Sequence, residues 1–313
     1  MRPALAAVLL ARLAGCGSDG TALAGPDAPG SPGRAVAATT PAICGPLRVT
    51  TLGRVRTPAA AELSGLVQSP DQPGVLWTHN DSGDRPRVLA LSTGGALRGD
   101  LAVPGAQAID WEDLALGPGA PGAGRALYLA DIGDNAADRD MVELYRVPEP
   151  RLPTGTATAP ADRLVLRYPD GPHDAETLLV EPGTGEIAIV TKAITGASAV
   201  YVTAPWRTAG NATRTLRRTG TLALGLGGLA TGGDVSADRR TVVVRTYTGF
   251  VAWRKRPGDT LAATLRRTPC RGRTTFPGER QGEALGLAAD GRSFVTVPEG
   301  ARPLLRRYAA AGR

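Results

Sequence analysis

Five segments of this 313-residue chain repeat one plan: a small or acidic pair, an apolar strand, a turn and a second apolar strand. They are "ELSGLVQSPDQPGVLWTHND" (62–81), "DWEDLALGPGAPGAGRALYLAD" (110–131), "DAETLLVEPGTGEIAIVTK" (174–192), "GGDVSADRRTVVVRT" (232–246) and "GEALGLAADGRSFVTVPE" (282–299). The corresponding apolar residues are Leu66, Leu114, Leu178, Val235 and Leu285, at intervals of 48 to 64 residues. Repetition at this period marks an array in which no unit buries its apolar faces alone and stacking buries them together.

Each of the first four units continues with two further strand-like runs. These are "RVLALS" and "ALRGDLAV", then "VELYRV" and "RLVLRY", then "AVYVTA" and "TRTLRRTGTLAL", then "GFVAWR" and "LAATLRR". Four antiparallel strands per unit is the make-up of a propeller blade. The fifth unit has only "LLRRYA" before the sequence ends, and "LRVTTLGRV" (47–55) is left over near the start. That strand can complete the last blade and close the ring, which removes sheet edges that would invite aggregation. The expected fold is all-β: a single five-bladed β-propeller of four-stranded antiparallel blades, closed by an N-terminal strand and spanning residues 44–313. Composition agrees, with 41 Gly and 26 Pro for tight turns.

The start of the chain reads as a targeting segment. Arg2 precedes the apolar run "ALAAVLLA", too short to span a bilayer and suited to a signal-peptide core. "LAGC" (13–16) resembles a bacterial lipobox, which implies lipidation of Cys16, a signal peptide over 1–15 and anchoring outside a membrane. Residues 16–43 lack apolar periodicity and read as a flexible linker. Cys44 and Cys270 then remain as an even pair, which in an exported protein is most simply a disulfide. The net charge of +7 comes from Arg-rich runs scattered along strands. Without a basic stripe this argues against nucleic-acid binding. The expected relations are therefore a small polar ligand or surface partner, a membrane met only through the lipid, and a monomeric propeller.

In a propeller the first strand of each blade lines the axis, and its start shares a face with the end of the second strand. Two rings of residues follow. Two places before the repeated apolar residue lie Ser64, Glu112, Glu176, Gly233 and Glu283. The second-strand ends contribute His79, Asn80, Asp81, Asp131, Asp134, Asn135, Lys192, Arg245, Tyr247 and Glu299. Carboxylates converging at roughly 4–6 Å repel by on the order of 3–4 kcal/mol per pair at an effective dielectric near 20. A dication relieves this best, and an all-oxygen ring suits Ca²⁺ better than the tight octahedron of Mg²⁺. The expected metal set is Ser64, Glu112, Glu176 and Glu283. "DSGD" (81–84) and "DIGD" (131–134) place Asp-x-Gly-Asp in the turn after the second strand, where the carboxylates can cap the turn or bind cations. Asp84 and Asp134 suit capping; Asp81 and Asp131 lie nearer the mouth. His79 and His173 are the two histidines, and both are expected near it. There is no GxSxG elbow, no HExxH and no P-loop, and "DIGDNAADRDMVE" fails EF-hand spacing.

The starts "ELSGL", "WEDLAL", "HDAETLL" and "GEALGL" resemble the blade starts of calcium-activated nucleotidases, the soluble apyrases. That resemblance implies a five-bladed propeller with an axial Ca²⁺ held by a Ser/Glu ring, carried onto Ser64, Glu112, Glu176 and Glu283. Gly233 departs from it, so backbone, Asp234 or water would serve there. The pattern is also compatible with esterase-like phytases and WD40-labelled secreted propellers. "HNDSGD…DWEDLA…DIGDN" resembles a family of actinobacterial lipoproteins of this kind. Two functions follow as expectations. One is a lipid-anchored propeller binding axial Ca²⁺ and a polar ligand or partner at an acidic mouth. The other is a Ca²⁺-dependent phosphoester hydrolase in which His79, Asp81 or Asp131 activates water.

Overall fold

The computed structural model describes residues 39–312 apart from 154, 273 and 280. The expected signal segment, the lipobox-like run with Cys16 and the expected linker as far as residue 38 lie outside the described residues. Five antiparallel sheets follow the five repeats. Blade 1 runs Leu63–Gln68, Val75–Asn80, Arg87–Ser92 and Leu97–Ala102 from axis to rim. Blade 2 runs Trp111–Pro118, Arg125–Asp131, Val142–Pro148 and Asp162–Arg167. Blade 3 runs Ala175–Val180, Ile187–Thr191, Ala197–Thr203 and Arg217–Ala223. Blade 4 runs Ala230–Val235, Thr241–Thr246, Gly249–Arg254 and the two-residue Cys270–Arg271. Blade 5 takes Ala284–Leu287, Ser293–Val297 and Leu304–Ala310 from the C-terminal end and Leu47–Arg54 from the N-terminal end. The closing strand pairs antiparallel, from Leu47 opposite Ala310 to Arg54 opposite Leu304.

One hydrophobic cluster fills each of the five gaps between neighbouring blades. Alternate residues of a strand serve opposite gaps: Leu178 and Val180 face blade 2, while Leu179 between them faces blade 4. Strands with both faces covered read as near-continuous apolar runs, as "TLLV" and "TVVV" do. All three phenylalanines of the chain, Phe250, Phe276 and Phe294, sit in the gap between blades 4 and 5. A fully buried Phe stabilises by about 1.5–3 kcal/mol. Three of them strengthen the gap where blade 4 has its shortest outer strand. The Cys44–Cys270 disulfide ties the same two blades, with Cα atoms 6.2 Å apart across 226 residues of sequence. Ile43 is fully buried in this cluster, so packing begins before residue 44, the expected start of the propeller.

Two strand assignments change. "LAATLRR" was expected as the outer strand of blade 4; instead Leu261–Leu265 is an α-helix. Ala and Leu favour helix. Thr260 caps it by accepting the Ala263 amide at 3.0 Å. The Glu186 carboxylate, reaching over from blade 3, accepts the Leu261 amide at 2.6 Å. An anion at the positive end of a helix stabilises it. "TRTLRRTGTLAL" was expected as one strand but divides at the buried Leu216. Ala212–Thr215 joins the rim of blade 2 in parallel, and Arg217–Ala223 completes blade 3.

Candidate metal centre

The innermost strands do not keep regular pairing at the mouth. The register slips by one residue between Ser64 and Leu66, Trp111 and Asp113, Ala175 and Thr177, and Ala230 and Gly232. The residues left out of the ladders are Gly65, Glu112, Glu176 and Thr231. A bulge re-aims the side chain it carries, and in blades 2 and 3 that side chain is a glutamate.

Six carboxylates from four blades gather at this end. Glu112, Glu176 and Glu283 form a buried floor at 2%, 3% and 4% exposure, and Asp81, Asp110 and Glu299 form a partly exposed rim. Oxygens of Asp81, Glu283 and Glu299 lie within 4.8 Å of one another, and so do those of Asp81, Asp110 and Glu112. Glu176 pairs with Lys192, whose ammonium lies 5.9 Å from the centre of the Tyr247 ring. The Tyr247 hydroxyl donates to Glu283 Oε1 at 3.1 Å. Blade 4 thus contributes a phenol where the other blades contribute acids. Gly133, the glycine of "DIGD", lies against the carboxylates: a Cβ there would collide with Glu112 Oε1 and Asp110 Oδ2.

Burial and mutual repulsion disfavour ionisation here. Burial, then Glu176, Asp81 and Asp110, push the Glu112 carboxyl far above the usual range. Burial and Glu283 push Glu176 up against the pull of Lys192. Burial and Glu283 likewise raise Glu299, and burial chiefly carries Asp81 up to about 6. Burial works against the charge on Lys192, yet Glu176 raises its pKa overall. Among the described residues, Lys192 is the one cation paired with this set. Glu176 Oε2 and Glu283 Oε2 are buried without a hydrogen-bond partner.

The remaining expected site residues have other partners. Ser64 is fully buried and donates its hydroxyl to the Glu112 carbonyl, joining blade 1 to blade 2. His79 is also fully buried. Its Nδ1 lies 2.9 Å from the Asn80 carbonyl, its ring meets Trp111 edge-on, and burial lowers its pKa. Gly65, at φ +62°, makes room for it; a Cβ would come 2.6 Å from His79 Nε2. Asn80 accepts the amides of Ala61 and Glu62 and donates to Ala59 and Asp84. Asp131 is fully buried, accepts the amides of Ile109 and Asp110, and pairs with Arg139 at 2.9 Å. Asp134 caps its turn through the amides of Asp138 and Arg139, and Asn135 is exposed beside it. Arg245 is buried between blades 4 and 5. It pairs with Glu279 at 2.5 Å and lies 4.2 Å over Phe276, so its guanidinium faces no ligand space. His173 lies in a separate group, against Asp170 at 3.1 Å and the Tyr201 hydroxyl at 2.8 Å. Of the expected functional side chains, Asp81, Glu112, Glu176, Lys192, Tyr247, Glu283 and Glu299 meet at the mouth.

Below the mouth a carboxylate ties the innermost strands together. Asp113 Oδ1 accepts the Leu114 amide, and Oδ2 accepts those of Leu178 at 2.8 Å and Gly233 at 3.1 Å. Asp234 repeats the device, accepting Val235 in its own blade and Leu287 in blade 5. Gly233 and Asp234 are thereby committed to holding strands together. Both aspartates directly precede the repeated apolar residue, so the sequence carried a signal for this role.

Comparison with protein-family models and with curated proteins yields no match. Among solved structures, a gluconolactonase from Xanthomonas campestris aligns over 89% of this chain and 99% of its own at 16% identity, with a TM-score of 0.44. The five-bladed assignment rests on the strand pairing, independently of that likeness.

Proposed function

We propose that this chain is an exported, lipid-anchored propeller that holds Ca²⁺ at its axial mouth and binds a polar ligand or partner there. The observation that carries this reading is the buried, unpartnered Oε2 of Glu283, which belongs to a group of carboxylates with Asp81 and Glu299. Leaving such a group without a partner is costly unless a ligand completes it. The residues fit the ion: the donors are all oxygen, and within each group of three they lie within 4.8 Å of one another, as oxygens around one ion at about 2.4 Å must. Asp81 would hold it together with Glu283 and Glu299 or with Asp110 and Glu112, and Lys192 keeps Glu176 as a neighbouring charge. Bound Ca²⁺ would supply positive charge and open coordination positions to an oxygen ligand. The disulfide supports an oxidising compartment, and anchoring would run through Cys16.

The test is thermal unfolding with chelator against millimolar Ca²⁺. Saturation at 100 times Kd adds about 2.7 kcal/mol, a visible rise in Tm. No shift, together with no bound metal by elemental analysis, would reject the reading. For the anchor, Cys16→Ser should release the protein into the medium, and a wild type already wholly soluble there would count against it.

One observation favours the hydrolase as a second reading: Asp81 is partly exposed in the mouth, with a carboxyl raised to about 6. A group of that kind can accept a proton near neutral pH. His79 and Asp131, both fully buried, do not share that position. Phosphate release from nucleotides and inositol phosphates, with and without Ca²⁺, distinguishes the two readings.

A further inference from the structure

The geometry points to two cations at the mouth, sharing Asp81: one among Asp81, Glu283 and Glu299, the other among Asp81, Asp110 and Glu112. This rests on the metal reading above and adds number and arrangement to it. Oxygens bound to a common Ca²⁺ at about 2.4 Å span at most about 4.8 Å. Two groups of three meet that limit, and Asp81 is their only common member. Among the described residues no such group combines Glu112 or Asp110 with Glu283 or Glu299. A single ion therefore satisfies one side of the mouth and leaves the other as bare carboxylates.

Charge leads to the same arrangement. Asp81, Asp110, Glu112, Glu283 and Glu299 have no salt-bridge partner among the described residues, because Lys192 is taken by Glu176. Five carboxylates with one dication keep three negative charges in a partly buried space; with two dications they keep one. Each side also has unused acceptor capacity. Glu283 gives Oε1 to Tyr247 and leaves Oε2 buried and unpartnered. Glu112, only 2% exposed, has its oxygen against Gly133 and accepts no hydrogen bond on its carboxylate among the described residues. Asp81 can serve both ions. Its Oδ1 accepts the Ser82 amide at 2.6 Å, and a carboxylate offers about four lone-pair sites.

The experiment is calcium stoichiometry on the full mature chain, stripped with chelator and dialysed against Ca²⁺. Two ions per chain are expected in the wild type. E299Q and D110N should each halve that number, and D81N should weaken both sites. Mn²⁺ provides a spectroscopic check: neighbouring ions on a shared carboxylate give an exchange-coupled spectrum, which E299Q should convert to the six-line signal of an isolated ion. One ion in the wild type overturns the two-cation arrangement and leaves the single axial ion standing. Two ions unaffected by E299Q and D110N overturn it as well, because they would lie elsewhere. No ion at all rejects the metal reading itself. Carboxylate-to-amide changes keep side-chain shape, and where a variant fails to fold the wild-type Mn²⁺ spectrum still decides: two ions without exchange coupling overturn the shared-carboxylate arrangement.

Discussion

Asp113 in blade 2 accepts the backbone amide of Gly233 in blade 4, with 3.1 Å between Oδ2 and the nitrogen. The same oxygen accepts the Leu178 amide of blade 3, so one side chain holds three innermost strands at the axis. Asp113→Asn replaces an acceptor oxygen with an amide that faces donors in either rotamer. One or two buried amides lose their partner, each at about 1–3 kcal/mol. Urea unfolding should show a single transition at a lower midpoint, with unchanged slope. An unmoved midpoint would mean that the axial bonds contribute nothing.

Gly133→Ala tests the setting of the proposed metal centre without removing a donor. The new Cβ displaces Glu112 Oε1 and Asp110 Oδ2. Calcium affinity measured by calorimetry should fall at least about tenfold, about 1.4 kcal/mol. The melting temperature in chelator should change much less than that in Ca²⁺. Equal losses in both conditions would place the effect in the fold instead.

The carboxyls of Asp81, Glu112, Glu176 and Glu299 are all raised, mainly by burial. In the metal-free protein they keep protons that the unfolded chain has already lost. Their contribution is therefore greatest below the ordinary carboxylate range and declines as pH rises, through about 6 for Asp81 and beyond for the others. Ca²⁺ bound as proposed would favour the ionised forms and oppose that decline. The difference in Tm between Ca²⁺ and chelator should widen from pH 5 to pH 8. A constant difference would show that these groups do not titrate with the metal.

The Cys44–Cys270 bond closes the ring's seam across 226 residues. Replacing both cysteines with serine should cost about 2–5 kcal/mol, the usual range for losing a native disulfide. Far-UV circular dichroism should remain that of a β protein, because the Phe250–Phe276–Phe294 cluster still packs blade 4 on blade 5. Equal unfolding midpoints with and without reductant in the wild type would contradict this.

The blade count, the closing strand and the disulfide partners were legible in the sequence because they depend on period and pairing. A repeated strand plan allows few ways to bury its apolar faces, and a strand missing at one end must come from the other. The acids at the blade starts were legible for the same reason, since Glu112, Glu176 and Glu283 hold equivalent places in the repeat. What those places do was decided by tertiary structure. A one-residue bulge turns Glu112 out of its ladder while the next residue, Asp113, becomes a buried tie between blades. Asp81 and Asp131 stand where matching strands end, yet one lies in the mouth and the other is taken up by two amides and Arg139. Arg245 leaves the mouth for Glu279, a residue 34 positions away in sequence. Strand period reports which residues alternate along a chain. Which polar partner lies within 3 Å depends on how neighbouring blades meet at the axis, and that relation exists only in the closed ring.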